Sequence, residues 1–241
     1  MDGVVLHDNT LIPGADTFLH RILKNKIDFR FITNYPSQTP ADLHNRLASA
    51  GVEIPIKHFF TSALATAAFL SKQEGRKAFV IGEGALTHEL YNIGFSITDI
   101  NPDLVIVGET KSYNWQMIHK ASSFISNGAR FIATNPDVAG PGGSPACGAL
   151  CAPIERITGK KPFYIGKPNA FMLRAALNSM NAHTENTLII GDNMSTDILA
   201  GVQAGMETVL VLTGFSKRED LDRYPFRPNY IFESLKDVNI I

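Results

Sequence analysis

Asp192 and Asp197 flank the most chemically suggestive turn of the chain, Leu188-Ile189-Ile190-Gly191-Asp192-Asn193-Met194-Ser195-Thr196-Asp197. An apolar run ending in glycine and an acid reads as a buried parallel strand that delivers a carboxylate to the crevice where open α/β sheets hold ligands. Such a carboxylate is a hard oxygen donor suited to magnesium, with Asp197 placed to reach the metal's waters or to order the loop. The same residues also simply make a turn and favour a helix start, so this loop alone decides nothing. Ser195 and Thr196 both fit as N-cap of a helix carrying Ile198, Leu199, Val202 and Ala204, with Gly205 as its stop.

Three further stretches supply complementary groups. Thr33 and Asn34 follow the apolar Phe29-Arg30-Phe31-Ile32 and bring a hydroxyl, an amide and backbone N–H groups to a strand end, a donor cluster able to hold a phosphoryl oxygen. Thr-Asn pairs also make ordinary turns. Lys167, in Tyr164-Ile165-Gly166-Lys167-Pro168, stands where an ammonium either neutralises phosphate charge or merely meets solvent. Asp2-Gly3 adds an acid and a turn glycine at the start of the chain. If the strands are parallel, all four loops converge on one crevice.

The elements that must position these loops alternate along the chain. An amphipathic helix opens at Pro13-Gly14 and runs through Phe18, Leu19, Ile22 and Leu23 to about Asn25. A second spans 40–50 and closes at Gly51, followed by a strand over 58–61 and a helix over 63–73. This rhythm predicts a parallel sheet with right-handed crossovers. At Lys77 the pattern restarts, with strands over 78–82, 104–108 and 131–133 and helices over 85–91 and 115–127. A Gly- and Pro-rich loop over 135–148 is too long for a bare connector and is a candidate binding loop or lid. Beyond a helix over 150–157 and a polar hinge over 158–161, the first pattern resumes with a helix opened by Pro168 and a buried strand over 208–212. The expected division is a core of residues 1–73 and 160–241 with an inserted domain of 74–159.

At 241 residues and 44% hydrophobic, the chain can bury one large core or two moderate ones. Lys+Arg (22) balance Asp+Glu (23), which removes any electrostatic case for a nucleic-acid polymer or an anionic membrane as partner. No apolar run reaches the roughly 18 residues of a spanning helix, and Val4-Val5-Leu6 is too short for a secretory segment, so the expected location is cytoplasmic. Cys147 and Cys151 lack a nearby histidine cluster and read as reduced thiols rather than a zinc site. Tyr113, Asn114 and Trp115 offer a surface for stacking on a base, with burial the expected state of the aromatics, and Asn135 and Asp137 fall at a strand end that can face a substrate.

In order and chemistry, Asp2-Gly3, Thr33, Gly166-Lys167-Pro168 and the Gly191-Asp192 to Asp197 loop resemble the haloacid dehalogenase (HAD) superfamily of aspartyl-phosphate phosphatases. In detail, Thr33-Asn34-Tyr35-Pro36-Ser37-Gln38-Thr39, Val80-Ile81-Gly82-Glu83-Gly84-Ala85-Leu86, Ala133-Thr134-Asn135-Pro136-Asp137 and Gly191-Asp192-Asn193 are similar to NagD-type nucleotide phosphatases along essentially the whole chain. The resemblance implies an α/β fold, a Rossmann-like parallel-sheet HAD core with a large inserted α/β cap of the C2 type. It also implies magnesium-dependent hydrolysis of small phosphate monoesters, with nucleoside monophosphates as the family's substrates. Asp2 is then the general acid and later the base, its backbone carbonyl meeting the metal, and Asp192 is the magnesium ligand. Thr33 and Asn34 hold the phosphoryl group, Lys167 steadies its charge, and Asn193, Met194, Ser195 and Thr196 line the phosphate side of the loop. Phosphoryl transfer asks chiefly for positioning and charge neutralisation, which this set offers.

The sequence departs from the family's Asp-x-Asp-Gly pattern at one point. Met1 stands at the x position, so the nucleophilic aspartate falls one residue ahead of it and the first core strand is missing from the 241 residues. The expectation is a chain inactive by itself and active when extended upstream by an apolar strand ending in aspartate. Two alternatives stand beside the nucleotide reading. One is a phosphatase for another small phosphoester, such as a sugar phosphate, phosphoglycolate or pyridoxal phosphate, because caps of this kind set specificity. The other is a non-catalytic nucleotide- or phosphate-binding protein. No motif encodes the oligomeric state.

Overall fold

The computed structural model describes residues 1–239. Its strands are β1 (Leu6–His7), β2 (Thr10–Leu11), β3 (Phe31–Thr33), β4 (Phe59–Thr61), β5 (Lys77–Ile81), β6 (Ser96–Ile97), β7 (Leu104–Val107), β8 (Arg130–Ala133), β9 (Phe163–Tyr164), β10 (Leu188–Gly191), β11 (Glu207–Val211) and β12 (Tyr230–Phe232). The helices are α1 (Ala15–Lys24), α2 (Pro40–Ser49), α3 (Ser62–Leu70), α4 (Gly84–Asn92), α5 (Trp115–Ser126), α6 (Cys147–Thr158), α7 (Ala170–Met180) and α8 (Leu199–Ala204). Two compact units emerge: one of Met1–Ile32, Pro40–Phe60 and the chain from Lys167 onward, the other of Thr33–Thr39 and Thr61–Gly166.

In the first unit β10, β11 and β12 are parallel, with Ile190 beside Val209 and Val209 beside Tyr230. A separate sheet pairs β3 with β4, and β1 and β2 form a short antiparallel hairpin. The expected core sheet is therefore in two pieces among the described residues. Helix α1 buries Phe18, Leu19 and Ile22 of its expected stripe together with Ala15, in a cluster with Leu43 and Leu47 of α2 and Val209 and Val211 of β11, while Leu23, also expected inside, is exposed. A second cluster packs Leu173 and Leu177 of α7 and Ala200 and Ala204 of α8 with Ile189 of β10.

The second unit holds an all-parallel sheet in the order β6-β5-β7-β8-β9. Every residue of β7 is buried, which is why it reads as an unbroken apolar run rather than an alternation. Val105, Val107, Phe131 and Ala133 meet Ala121 and Ile125 of α5 and Leu150, Cys151 and Ile154 of α6.

This unit reaches further than residues 74–159. Strand β9 extends its sheet, with Phe163 beside Ile132, and α3 has so few polar positions that it is buried at Ala63, Ala65, Ala67 and Leu70. Both belong where they bury surface, a choice made by distant partners rather than by local composition. The polar 158–161 stretch is not a hinge between the units but the end of α6, capped at Gly159, and the turn into β9. Asn169, whose side chain accepts from the Phe171 N–H at 3.0 Å, caps α7 in place of Pro168. Trp115, expected to be buried, is 72% exposed and stacks on His119 one turn along α5, at 5.0 Å between ring centroids. Cys147 and Cys151 are free and buried. No helix among the described residues is long and apolar enough to cross a membrane.

Candidate active site

Asp192 leaves the end of β10, where an apolar parallel strand runs out, and its carboxylate lies close against two glycines. A Cβ added at Gly214 would lie 2.0 Å from Asp192 Oδ2 and one at Gly3, whose φ is +71°, 2.3 Å from it. Two glycines from remote loops thus permit the close approach. Oδ2 accepts from the Phe215 N–H at 2.8 Å, and the Asp192 carbonyl accepts from Ser216 N at 2.9 Å. Burial, and then the charge of Asp197, push the Asp192 carboxyl above the usual carboxylate range. A desolvated carboxylate of this kind gains from a hard cation, and the donor set, all oxygen, fits magnesium. Among the described residues no three His, Cys, Asp or Glu side chains come together as ligands. A magnesium ion here would rest on one carboxylate, backbone oxygen, water and substrate oxygens, as magnesium commonly does.

The loop after Asp192 forms one π-helical turn, Met194–Ile198, before α8. Ser195 and Thr196 do not cap it. Asn193 does, its Oδ1 accepting from Ser195 N at 2.9 Å and from Ser195 Oγ at 2.8 Å, because an amide oxygen one residue earlier reaches the first free N–H groups. Met194 does not line the phosphate side with its side chain. It is fully buried with Ile198, Leu210 and Leu221, and its N–H donates to Ser216 Oγ at 2.9 Å.

Asp197 turns to a lysine rather than to Asp192's ligand space. Lys167 Nζ donates to Asp197 Oδ1 at 2.6 Å and to the Ile32 carbonyl at 3.3 Å, and Asp197 Oδ2 accepts from Asn193 N at 3.3 Å. Lys167 is therefore no solvated surface lysine: it is 8% exposed and Asp197 7%. Of the two roles open to Asp197 in the sequence, ordering the loop is the one its contacts serve.

Asp2 is engaged at both oxygens by Arg46 of α2, and the Gly3 carbonyl accepts from Thr213 Oγ1 at 2.6 Å. Sequence reasoning missed Arg46, which looks like any basic residue in the last turn of a helix. It missed Ser216 and Gly214 as well, for neither carries a local signal.

Thr33 and Asn34 belong to the second unit. Thr33 is buried, and its hydroxyl accepts from Tyr35 N at 3.3 Å. The Asn34 amide donates to Asp137 Oδ2 at 3.0 Å, and the Asn34 carbonyl accepts from Ser62 Oγ and from Asn135 Nδ2, each at 2.8 Å. Asn135 and Asp137, following β8, thus hold the segment after β3 in place. Nearby, Glu109 is held above the usual carboxylate range by burial, against a hydrogen bond from Asn135.

Residues 1–96 match the haloacid dehalogenase-like hydrolase family, and residues 164–238 match a HAD-hydrolase-like family. Over its whole length the chain is 61% identical to the ribonucleotide monophosphatase NagD of Escherichia coli K12 and covers 96% of that protein. Over 99% of its length it is 47% identical to the dihydroxyacetone phosphatase of Corynebacterium glutamicum, covering 88% of it. The solved structure of NagD from E. coli K-12 matches with a TM-score of 0.98 over 100% of this chain and 96% of that one, at 61% identity. The α/β fold expected from the residues is that of the matching structure, and the chain belongs to the haloacid dehalogenase-like hydrolase family.

Proposed function

We propose that the protein is a magnesium-dependent phosphomonoesterase whose substrates are nucleoside monophosphates. The observation that carries the reading is the caged Asp192 carboxylate in the same unit as the buried Lys167–Asp197 pair, an oxygen anchor for a hard cation beside a fixed ammonium. The 61% identity to a relative named for ribonucleotide monophosphates supports the choice of substrate.

In this reading Asp192 and the Asp2 carbonyl are the protein's oxygens for magnesium, which when bound supplies charge neutralisation for the phosphoryl oxygens. Lys167, kept charged and oriented by Asp197, steadies the same negative charge. Ser195 and Thr196 donate from the π-helical turn that Asn193 caps. Asp2 protonates the leaving oxygen as the phosphoryl group passes to the aspartate nucleophile that aspartyl-phosphate chemistry requires, and afterwards takes a proton from the water that hydrolyses that acyl phosphate. The reading also assigns the protein to the cytosol, with a free small phosphoester as its partner.

Phosphate release by the full gene product, measured over a panel of nucleoside monophosphates and other small phosphoesters with and without magnesium, tests this. Nucleotides giving the highest kcat/KM, lost on chelation, is the expected result. Nucleotides consistently among the poorest would refute the substrate, and tight binding without hydrolysis would refute the reaction. Preference for a triose phosphate is the second reading, favoured by the 47% identity to a dihydroxyacetone phosphatase.

A further inference from the structure

Arg46 gathers three points of the N-terminal segment onto one side chain. Its Nη1 donates to Asp2 Oδ2 at 3.1 Å and its Nη2 to Asp2 Oδ1 at 2.5 Å. Through Nε it donates to Asn9 Oδ1 at 3.0 Å, and through Nη2 to the Asp8 carbonyl. A guanidinium's donors lie in one plane at fixed angles, so a two-point pairing fixes the orientation of the carboxylate as well as its distance.

The segment's backbone is tied elsewhere, with Val5 N donating to the Met1 carbonyl and Gly3 N to the Leu6 carbonyl, each at 2.8 Å, and Thr213 Oγ1 donating to the Gly3 carbonyl, but none of these bonds touches the Asp2 carboxylate. The β1–β2 hairpin has two residues per strand, and its turn places Asp8 in the left-handed region at φ 53°. A hairpin this short is marginal by itself and cannot hold a rotamer at Asp2. The pair is also part-exposed, at 19% for the Arg46 side chain and 36% for Asp2, where ion pairs add little to stability. Geometry that is elaborate yet weakly stabilising points to orientation as its use.

We propose that Arg46 is a positioning residue for Asp2: its fork, steadied by the Asp8–Asn9 turn, sets the orientation from which the Asp2 carboxylate serves the leaving oxygen. The inference rests on the phosphomonoesterase reading and on the role of Asp2 within it.

Leaving groups separate orientation from mere structure. A nucleoside alkoxide needs a proton to depart, whereas p-nitrophenolate leaves without one, so a misdirected acid harms only the first. Arg46→Ala and Arg46→Lys are made in the full gene product, and single-turnover release of the leaving group is followed for a nucleoside 5'-monophosphate and for p-nitrophenyl phosphate. The expected outcome for Arg46→Ala is a loss on the order of 100-fold on the nucleotide, with KM held within about twofold, and less than about threefold on p-nitrophenyl phosphate. Arg46→Lys, which keeps the charge but not the fork, falls nearer to Arg46→Ala than to wild type. Equal losses on both substrates, a change confined to KM, or full rescue by lysine would overturn the proposal. If Arg46→Ala does not fold, the lysine variant alone gives the same discrimination. A wild-type protein that releases neither leaving group brings down the phosphomonoesterase reading itself, a failure visible before any variant is compared.

Discussion

Replacing Lys167 with alanine strands a carboxylate. Asp197 is 7% exposed, its bond to Lys167 Nζ is 2.6 Å long, and the N–H it retains, from Asn193, stands at 3.3 Å. Water cannot take over for the missing ammonium at that depth, so the variant carries an uncompensated buried charge. Breaking such a pair from one side costs about 3–5 kcal/mol. At roughly 2–4 °C per kcal/mol for a chain of this length, the unfolding midpoint at neutral pH should fall by about 6–20 °C. The double variant Lys167→Met with Asp197→Leu separates the cause, because removing both charges together is often neutral or stabilising. It should recover most of the lost midpoint while phosphate release stays impaired, since an electrostatic stabiliser of the phosphoryl group is worth on the order of 2–4 kcal/mol in the barrier. Thermal unfolding followed by circular dichroism, beside phosphate release by the full gene product, reads both. A single variant within about 1 kcal/mol of wild type, or a double variant no better than the single, would refute the claim that an unpaired buried charge is the penalty.

Four other outcomes follow from the same geometry. Gly214→Ala puts a methyl 2.0 Å from Asp192 Oδ2, and should cost about 1–3 kcal/mol and abolish stabilisation by magnesium; a midpoint that still rises with magnesium would show that the cage does not matter. Asp192→Asn should likewise remove the rise in midpoint expected when magnesium is added to the wild type, and an unchanged titration would contradict the ligand role. Glu109, held above its ordinary range chiefly by burial, binds protons more tightly folded than unfolded, so stability falls as pH rises through the carboxylate range. Glu109→Gln should therefore raise the second unit's midpoint at neutral pH and leave it unchanged near pH 3; equal gains at both would be inconsistent with this. Cys147 and Cys151, both fully buried, should resist a thiol reagent until denaturant is added, and rapid labelling of the native protein would contradict their burial.

What the residues reveal unaided is what local pattern encodes. Strands β7, β10 and β11 are short apolar runs bounded by turn residues, and α1 repeats its apolar positions at helical spacing, so each is legible without a partner. The placement of α3 and β9 is not, because an apolar helix or a two-residue strand joins whichever neighbour buries it. Met194 sits among polar residues yet faces the core, since the π-helical turn, indistinguishable in sequence from an α-helical start, rotates it inward. Trp115 errs the other way: residue type predicts burial, but at the first position of α5 the indole is exposed and stacks on His119.

Charges show the same limit most sharply. Sequence names the ions but not the pairs, and pairing fixes what each can do. Lys167 reads as a free cation for phosphate or solvent, and Asp197 as a helper of the metal, until 30 positions of separation close to 2.6 Å. Asp2 and Arg46, 44 positions apart, do likewise. Both pairs are neutral as units, and among the described residues no side-chain cation is bonded to Asp192. Asp192 is thus a half-buried carboxylate outside both pairs, at the position where two glycines leave it room. A divalent cation there turns a local charge of about −1 into about +1, which is the sign required to draw in a phosphate dianion. The ion pairs do not compete with that role, since neither engages the Asp192 carboxylate.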